Sequence, residues 1–137
     1  MSQKWEYNGV TLEVDLQDLE FAQKYEAAFL RMEEDEKNVR KAGKTSEIIR
    51  EYSEMYYRLF DGIYGQGTAE KLFSGRKNAR MCDEAYIAFI GAAKADAADA
   101  RQRRSEFVAR YAPNQNREQR RANNKKSRHN KPYVVEQ

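Results

Sequence analysis

The first fourteen residues alternate between apolar and polar side chains, a pattern typical of a half-buried β-hairpin. Asn8 and Gly9 suit a two-residue type I′ turn, because both tolerate a positive φ. That turn sets Tyr7 opposite Val10 and fixes the register of the two strands. One face then carries only apolar and aromatic side chains, namely Trp5, Tyr7, Val10, Leu12 and Val14. An isolated hairpin is marginally stable in water, so this face is expected to pack on helices.

Four segments after the hairpin carry apolar residues at the three- and four-residue spacings of amphipathic helices. The first is expected to begin with Asp15 as its N-cap, and its stripe fades after Met32, before a stop near Gly43. The second is expected to be capped by Thr45 or Ser46. It carries the widest apolar stripe in the chain, formed by Ile48, Ile49, Tyr52, Met55, Tyr56, Leu59, Phe60, Ile63 and Tyr64. This stripe makes the second helix the strongest candidate for the core.

Glycines and a proline delimit the last two helices. Three glycines within residues 62–67 are expected to end the second helix, after which Thr68 caps a short third one. The fourth is expected to run from about residue 77 to about residue 111, because the proline at position 113 cannot continue a helix. Its alanine-rich stretch, Ala92 to Ala100, has two interpretations of equal weight. One is a high-propensity helix with little surface cover, and the other is close approach of another helix, from this chain or a second copy.

These elements predict a mainly α fold, in which an N-terminal two-stranded β-hairpin packs on a small bundle of three to four helices. Residues 1–112 form this domain, and residues 113–137 are expected to form a disordered basic tail. Seven lysines and arginines against two glutamates give the tail a net charge of +5, whereas the whole chain carries +3. The domain is therefore mildly acidic, at −2. An acidic body joined to a basic tail suits the binding of a partner better than catalysis.

The residue types needed for catalysis or metal binding are scarce. The single histidine, His129, lies in the predicted tail, where no fixed geometry makes it a general base. The single cysteine, Cys82, lies on an apolar stripe and is interpreted as a small core residue. One histidine and one cysteine do not make a structural zinc site, and the carboxylates of residues 33–36 lack the spacing of a calcium loop. The glycine-rich segment 62–71 follows a helix rather than a strand and matches no phosphate-binding motif. No enzymatic activity and no cofactor are expected.

The chain is expected to be soluble and intracellular. No apolar run approaches the roughly 18–20 residues that span a bilayer, and the first nine residues do not resemble a signal peptide. A lone cysteine also fits a reducing compartment, since it has no partner for an internal disulfide.

The basic tail has three interpretations. Its charge suits nucleic acid, but it holds a single aromatic residue, Tyr133, and therefore lacks the stacking platforms of single-strand binders. The second interpretation is a solvated linker. The third interpretation is a recognition segment that becomes ordered on a protein partner, in which Tyr133, Val134 and Val135 add as a strand to a sheet edge.

Three segments of the chain resemble small proteins of phages and prophages of Gram-positive bacteria. The opening, YNGVTLEVDLQDLEFAQKYEAAF, has their Asn-Gly hairpin and a helix of the pattern D-x-x-x-A-x-x-Y-E, matched by Asp18, Ala22, Tyr25 and Glu26. The middle, LFDGIYGQGTAEKLFSGRKNARMCDEAY, is similar at Phe60, Asp61, Gly65, Gly67, Ala69, Glu70, Lys71, Phe73, Gly75 and Cys82. The tail segment NREQRRANNKK resembles the arginine-rich segments that often end tail assembly proteins.

The resemblance implies a tail assembly chaperone of a long-tailed phage, located in the cytoplasm of the bacterial host. Proteins of this kind bind the tape measure protein and recruit tail tube subunits, and they have no catalytic residues. Homo-oligomerisation is compatible with this function, and no membrane partner is expected. The alternatives are a structural tail or head-completion protein retained in the virion and a small nucleic-acid-binding regulator that acts through the tail.

The residues expected to bind the partner come from the hairpin, the second helix and the tail. Methionine and tyrosine suit adaptable contact surfaces, and the basic residues of the tail are expected to supply electrostatic steering or a tether. The predicted contact residues are Trp5, Tyr7, Tyr52, Tyr56, Arg117, Arg120, Arg121, Lys125, Lys126 and Arg128.

Overall fold

The computed structural model describes residues 2–111. It contains the strands β1 (Gln3–Tyr7) and β2 (Val10–Val14) and the helices α1 (Leu19–Asn38), α2 (Thr45–Tyr64), α3 (Thr68–Phe73) and α4 (Ala79–Tyr111). The prediction of a mainly helical protein with an N-terminal hairpin is confirmed. The predicted disorder of residues 113–137 lies outside the described residues. The chain divides into two units between Ala98 and Asp99, so α4 contributes to both.

The hairpin has the predicted register, and its turn is attached to α3. Five residue pairs join β1 and β2 in antiparallel fashion, from Gln3 with Val14 to Tyr7 with Val10. Asn8 and Gly9 have φ values of 52° and 79°, as a type I′ turn requires. The Asn8 side-chain amide also donates hydrogen bonds to the Leu72 carbonyl and the Ser74 hydroxyl, each at 3.0 Å. Asn8 therefore shapes the turn and also holds it against the helices.

Helix α1 begins three residues later than the sequence indicated. Asp18, and not Asp15, is the N-cap, because its carboxylate accepts a hydrogen bond from the Phe21 amide at 3.0 Å. Asp15 instead accepts from the amide of Gln17 at 3.2 Å, within the turn that follows β2. Two acidic residues three positions apart are equally good caps by sequence, and the turn after β2 selects the second.

Three predicted features of α2 and α3 were also wrong. Thr45 is the first residue of α2, whose N-cap, Lys44, makes no side-chain capping bond. Gly62 lies inside α2 and does not end it, and a Cβ atom at this position would meet the Ala28 Cβ at 3.4 Å. That distance is an ordinary van der Waals contact, so α1 and α2 lie next to each other at this position. The cap of α3 is Gly67, at a φ of 90°, and not Thr68.

The core of the first unit is a cluster of aromatic rings around Phe89 of α4. The fully buried Phe89 ring lies 5.6 Å from the Trp5 ring and 5.7 Å from that of Phe60. The Trp5 indole N–H donates to the Tyr64 hydroxyl at 3.0 Å, and that hydroxyl donates to the Glu13 carbonyl at 2.7 Å. These bonds satisfy the polar atoms that aromatic packing would otherwise bury unpaired. The apolar face of the hairpin thus closes the core, as predicted.

The segment that follows β2 contacts the alanine-rich part of α4. Ala92 and Ala93 are buried, and Asp96 is fully buried beside them. One carboxylate oxygen of Asp96 accepts a hydrogen bond from the Leu16 amide at 2.6 Å. Within Ala92–Ala98, the small side chains therefore admit a loop of the same chain, which neither interpretation of the sequence included.

We expect Asp96→Ala to lower the free energy of unfolding by about 2 kcal/mol, because the partly buried Leu16 amide loses its acceptor. Asp96→Asn is the matched control. It retains an oxygen at the same position and is expected to cost less than about 1 kcal/mol. Urea unfolding followed by circular dichroism measures both values, and a loss equal for the two variants would contradict this function of Asp96.

A candidate protein-binding groove

Helices α1, α2 and α4 of the first unit enclose a groove between them. It consists of two cavities of about 450 Å³ and 640 Å³, which adjoin because both are lined by Met32, Glu36 and Tyr86. We call this surface the aromatic groove. The side chains that give it its character are Tyr25, Phe29, Leu30, Met32, Tyr52, Met55, Tyr56 and Tyr86.

Helical spacing places these side chains along one line. Helix α1 contributes Tyr25, Phe29 and Met32, which are four and three residues apart and therefore share a face. Helix α2 contributes Tyr52 and Tyr56 by the same spacing. The deeper parts of the same stripes form the core, where Leu59 and Phe60 are buried. Each stripe is wider than the core requires, and the surplus forms the groove.

The rings of the groove are in continuous contact. The ring centroids of Tyr25 and Phe29 are 4.7 Å apart, and Phe29 lies 6.3 Å from Tyr86. Tyr86 in turn lies 5.4 Å from Tyr56, which lies 5.2 Å from Tyr52. These distances are typical of tilted and edge-to-face aromatic pairs. The groove therefore has a rigid aromatic wall that is set before any partner binds.

The phenol groups of the groove are neutral at physiological pH. Burial raises the pKa values of Tyr25, Tyr56 and Tyr86 above the ordinary tyrosine value of 10.0, and the charge of Glu36 acts in the same direction on Tyr86. Burial, and then the hydrogen bond that its hydroxyl donates to Asp83, raises the pKa of Tyr52 further. The wall thus offers apolar rings with uncharged polar tips.

One edge of the groove is acidic. Glu26, Glu33 and Glu36 of α1 line the larger cavity and are exposed. Within residues 2–111, none of these three carboxylates forms an ion pair, although Glu34 on the same helix pairs with Lys37 at 3.3 Å. The acidic edge is therefore available to a basic partner.

The structure brings together only part of the predicted contact set. Tyr52 and Tyr56 line the aromatic groove, with Tyr52 half-buried and Tyr56 6% exposed. Trp5 is 5% exposed in the core, on a different part of the first unit. Tyr7 is half-buried, and burial together with the bond that its hydroxyl donates to Glu84 at 2.7 Å raises its pKa to about 12. The remaining predicted residues lie outside the described part of the chain, namely Arg117, Arg120, Arg121, Lys125, Lys126 and Arg128.

Sequence reasoning missed the contributions of α1 and α4 to the groove. It assigned Tyr25, Phe29 and Tyr86 to core stripes, which is where their spacing alone places them. The available signal was the acidic run beside the α1 stripe, since carboxylates next to a wide apolar face mark a helix that is only partly covered.

A second exposed surface lies in the second unit, at the end of α4. Every residue from Arg101 to Tyr111 is exposed, including Phe107 (63%), Val108 (45%) and Tyr111 (64%). The Phe107 and Tyr111 rings pack against each other with centroids 4.7 Å apart, and the Arg110 guanidinium lies 5.8 Å from the Tyr111 ring centre. We call this segment, Arg101–Tyr111, the aromatic–arginine end.

Features that suggest chemistry are scarce among residues 2–111. Cys82 is fully buried, as predicted, and burial raises the pKa of its thiol to about 11. That part of the chain has no group of three or more side chains suited to holding a metal ion. None of its helices has both the length and the apolar character that crossing a membrane requires.

The chain belongs to a family of unknown function, DUF6673, which it matches over residues 8–124. The match covers the turn of the hairpin, all four helices and much of the basic tail. Comparisons with curated proteins and with solved structures gave no match.

Proposed function

We propose that the protein is a non-enzymatic tail assembly chaperone of a long-tailed phage, acting in the cytoplasm of the bacterial host. In this function it binds the tape measure protein and helps to recruit tail tube subunits. The resemblance of the hairpin, the glycine-rich middle and the arginine-rich tail supports the class of protein. The observation that carries the binding function is the aromatic groove, which has a preformed apolar wall and an acidic edge whose carboxylates make no ion pair within residues 2–111.

The groove suits an amphipathic helical segment of the tape measure protein. An apolar helix face in a groove is a recurrent mode of peptide recognition, in which residues three and four positions apart act as anchors. Met32 and Met55 give the floor some adaptability, since thioether side chains repack around different partners. The acidic edge selects segments that carry lysine or arginine beside the apolar face. Such a site protects apolar segments from aggregation before assembly.

The other predicted contact residues have supporting functions in this proposal. Trp5, which is buried, and Tyr7, which is half-buried, hold the hairpin on the helices and thereby maintain the groove walls. The basic tail acts as an electrostatic tether, so binding weakens as salt rises.

Leu30→Asp is expected to reduce retention of a tape measure fragment by at least about tenfold in a co-expression pull-down, the effect of losing one good anchor. Leu30 lines the larger cavity yet is 66% exposed, so the substitution leaves the core intact. Leu19→Asp is the matched control, because Leu19 lies on the same helix, is 72% exposed and is not among the residues that line the groove.

Overlapping fragments that cover the whole tape measure protein make this experiment decisive. Failure of the wild-type chain to retain any fragment would overturn the proposal. An equal loss of fragment retention in both variants would show that binding does not depend on the groove. Detection of the chain in purified virions would instead favour a structural phage protein.

One observation favours a second candidate, a nucleic-acid-binding regulator. The aromatic–arginine end carries four exposed arginines beside two exposed rings, a combination that binds phosphates and stacks on bases. A mobility-shift assay on the full chain at physiological salt tests it. Absence of any shift would eliminate this candidate.

A further inference from the structure

We propose that the protein self-associates head to tail, with the aromatic–arginine end of one copy occupying the aromatic groove of a second copy. This inference goes beyond the proposed function and does not depend on it, because it concerns the protein alone. It rests on the match between the two surfaces in shape, in chemistry and in charge.

The aromatic–arginine end has the layout of a groove-binding helix. Phe107 and Tyr111 are one turn apart and share a face, and Val108 widens it. Arg103 and Arg110 lie along one edge of this face by helical period. Large apolar side chains that are 45–64% exposed in a cluster mark an interaction surface more often than a solvated one.

The groove offers the complementary features. Its cavities of about 450 Å³ and 640 Å³ accommodate two aromatic side chains one turn apart. Glu26 and Glu33 lie along one edge of the α1 stripe, seven residues apart, or roughly 10 Å along the helix. Arg103 and Arg110 have the same seven-residue separation. A helix laid along the groove therefore aligns both arginines with both glutamates.

Arg103 already makes an ion pair within its own helix. Its guanidinium lies 3.1 Å from the Asp99 carboxylate, one turn earlier on the same helix, and both side chains are partly exposed. The Arg103 side chain itself is 43% exposed, so its guanidinium is accessible to a carboxylate of a second copy.

Charge also favours contact between different units of different copies. Residues 99–137 hold eleven lysines and arginines against four acidic residues, a net charge of +7, so residues 1–98 carry −4 of the whole-chain charge of +3. Like units repel each other, and unlike units attract. This difference in charge favours a heterologous contact, which joins two different surfaces. Such an assembly leaves one aromatic groove and one aromatic–arginine end free.

Sedimentation velocity on the full chain tests the proposal. The wild type is expected to show a mass that rises with concentration and an association that weakens at least about tenfold between 0.1 M and about 1 M salt. Phe107→Ser removes the inserted ring and Leu30→Asp blocks the groove, and each variant is expected to be monomeric. Ile87→Ser and Leu19→Asp, at exposed positions outside both surfaces, are the controls and are expected to associate like the wild type.

Mixing the two defective variants provides the sharpest result. Phe107→Ser retains an intact groove and Leu30→Asp retains an intact helix end, so an equimolar mixture is expected to form a one-to-one dimer and nothing larger. A symmetric interface would not show this complementation. A wild type that remains monomeric up to about 1 mM overturns the inference, as does a mixture whose components stay separate.

The variants distinguish tape measure binding from self-association, although both proposals use the groove. Leu30→Asp is expected to weaken both tape measure binding and self-association, whereas Phe107→Ser is expected to weaken self-association alone. Because Phe107→Ser leaves the basic tail unchanged, loss of association in this variant also assigns the contact to α4 rather than to the tail.

Discussion

Phe89→Ala is expected to lower the free energy of unfolding by about 3–5 kcal/mol. The Phe89 side chain is fully buried, and the five rings around it lie 5.6–6.3 Å from its own: Trp5, Tyr25, Phe29, Phe60 and Tyr64. These neighbours come from the hairpin, α1 and α2. Truncation therefore leaves a cavity where the hairpin, α1, α2 and α4 meet. Rigid aromatic rings collapse poorly into such a cavity.

Chemical denaturation followed by circular dichroism measures this loss. Ile87→Ala is the matched control, two residues away on α4 with its side chain 70% exposed, and is expected to change stability by less than about 0.5 kcal/mol. Small domains have a total stability of about 5–15 kcal/mol, so the Phe89 variant loses a large share of it. Equal effects of the two substitutions would refute the central position of Phe89.

The second large effect is unfolding in alkali, between about pH 10 and pH 12. The tyrosines whose pKa values lie above 10.0 in the folded chain are Tyr7, Tyr25, Tyr52, Tyr56, Tyr57, Tyr64 and Tyr86. Burial is the first cause in each case, and the pKa values of Tyr7 and Tyr64 reach about 12. In the unfolded chain the same groups ionise near pH 10.

The direction in which stability changes with pH follows from proton linkage. Below pH 10 these phenols are neutral in both states, and their contribution to stability is fully present. As pH rises from 10 towards the folded-state pKa values, the unfolded chain releases protons that the folded chain retains, so stability falls. Ultraviolet absorbance of tyrosinate and far-ultraviolet circular dichroism, recorded on the same samples, are expected to change together. Tyrosine ionisation near pH 10 with intact helices would contradict the burial of these rings.

The groove and the core use the same residue types, which has a consequence for the proposed chaperone function. Tyr52 and Tyr56 reach the groove from the same stripe that buries Leu59 and Phe60. A partner therefore binds to the surface of a packed aromatic cluster and need not order it. Preformed sites of this kind lose less conformational entropy on binding than flexible ones.

Much of the fold was predictable from local patterns. The Asn8–Gly9 turn fixed the register of the hairpin, because only one loop conformation fits two strands joined by two such residues. Periodicity located all four helices. The predicted caps were less accurate at Asp15, Thr45 and Thr68, since capping depends on where the preceding turn directs the chain.

Local sequence patterns predict the types and order of the elements, the burial of the hairpin face and an excess of aromatic residues over the needs of a small core. The division of those aromatic residues between core and groove depends instead on the packing of the helices. Trp5 is buried in the core, whereas Tyr52 and Tyr86 line a surface cavity. The same packing brings the Leu16 amide to Asp96, eighty residues away in the sequence. The physical reason is that periodicity records which residues share a face of one helix, whereas exposure depends on how far the neighbouring helices cover that face.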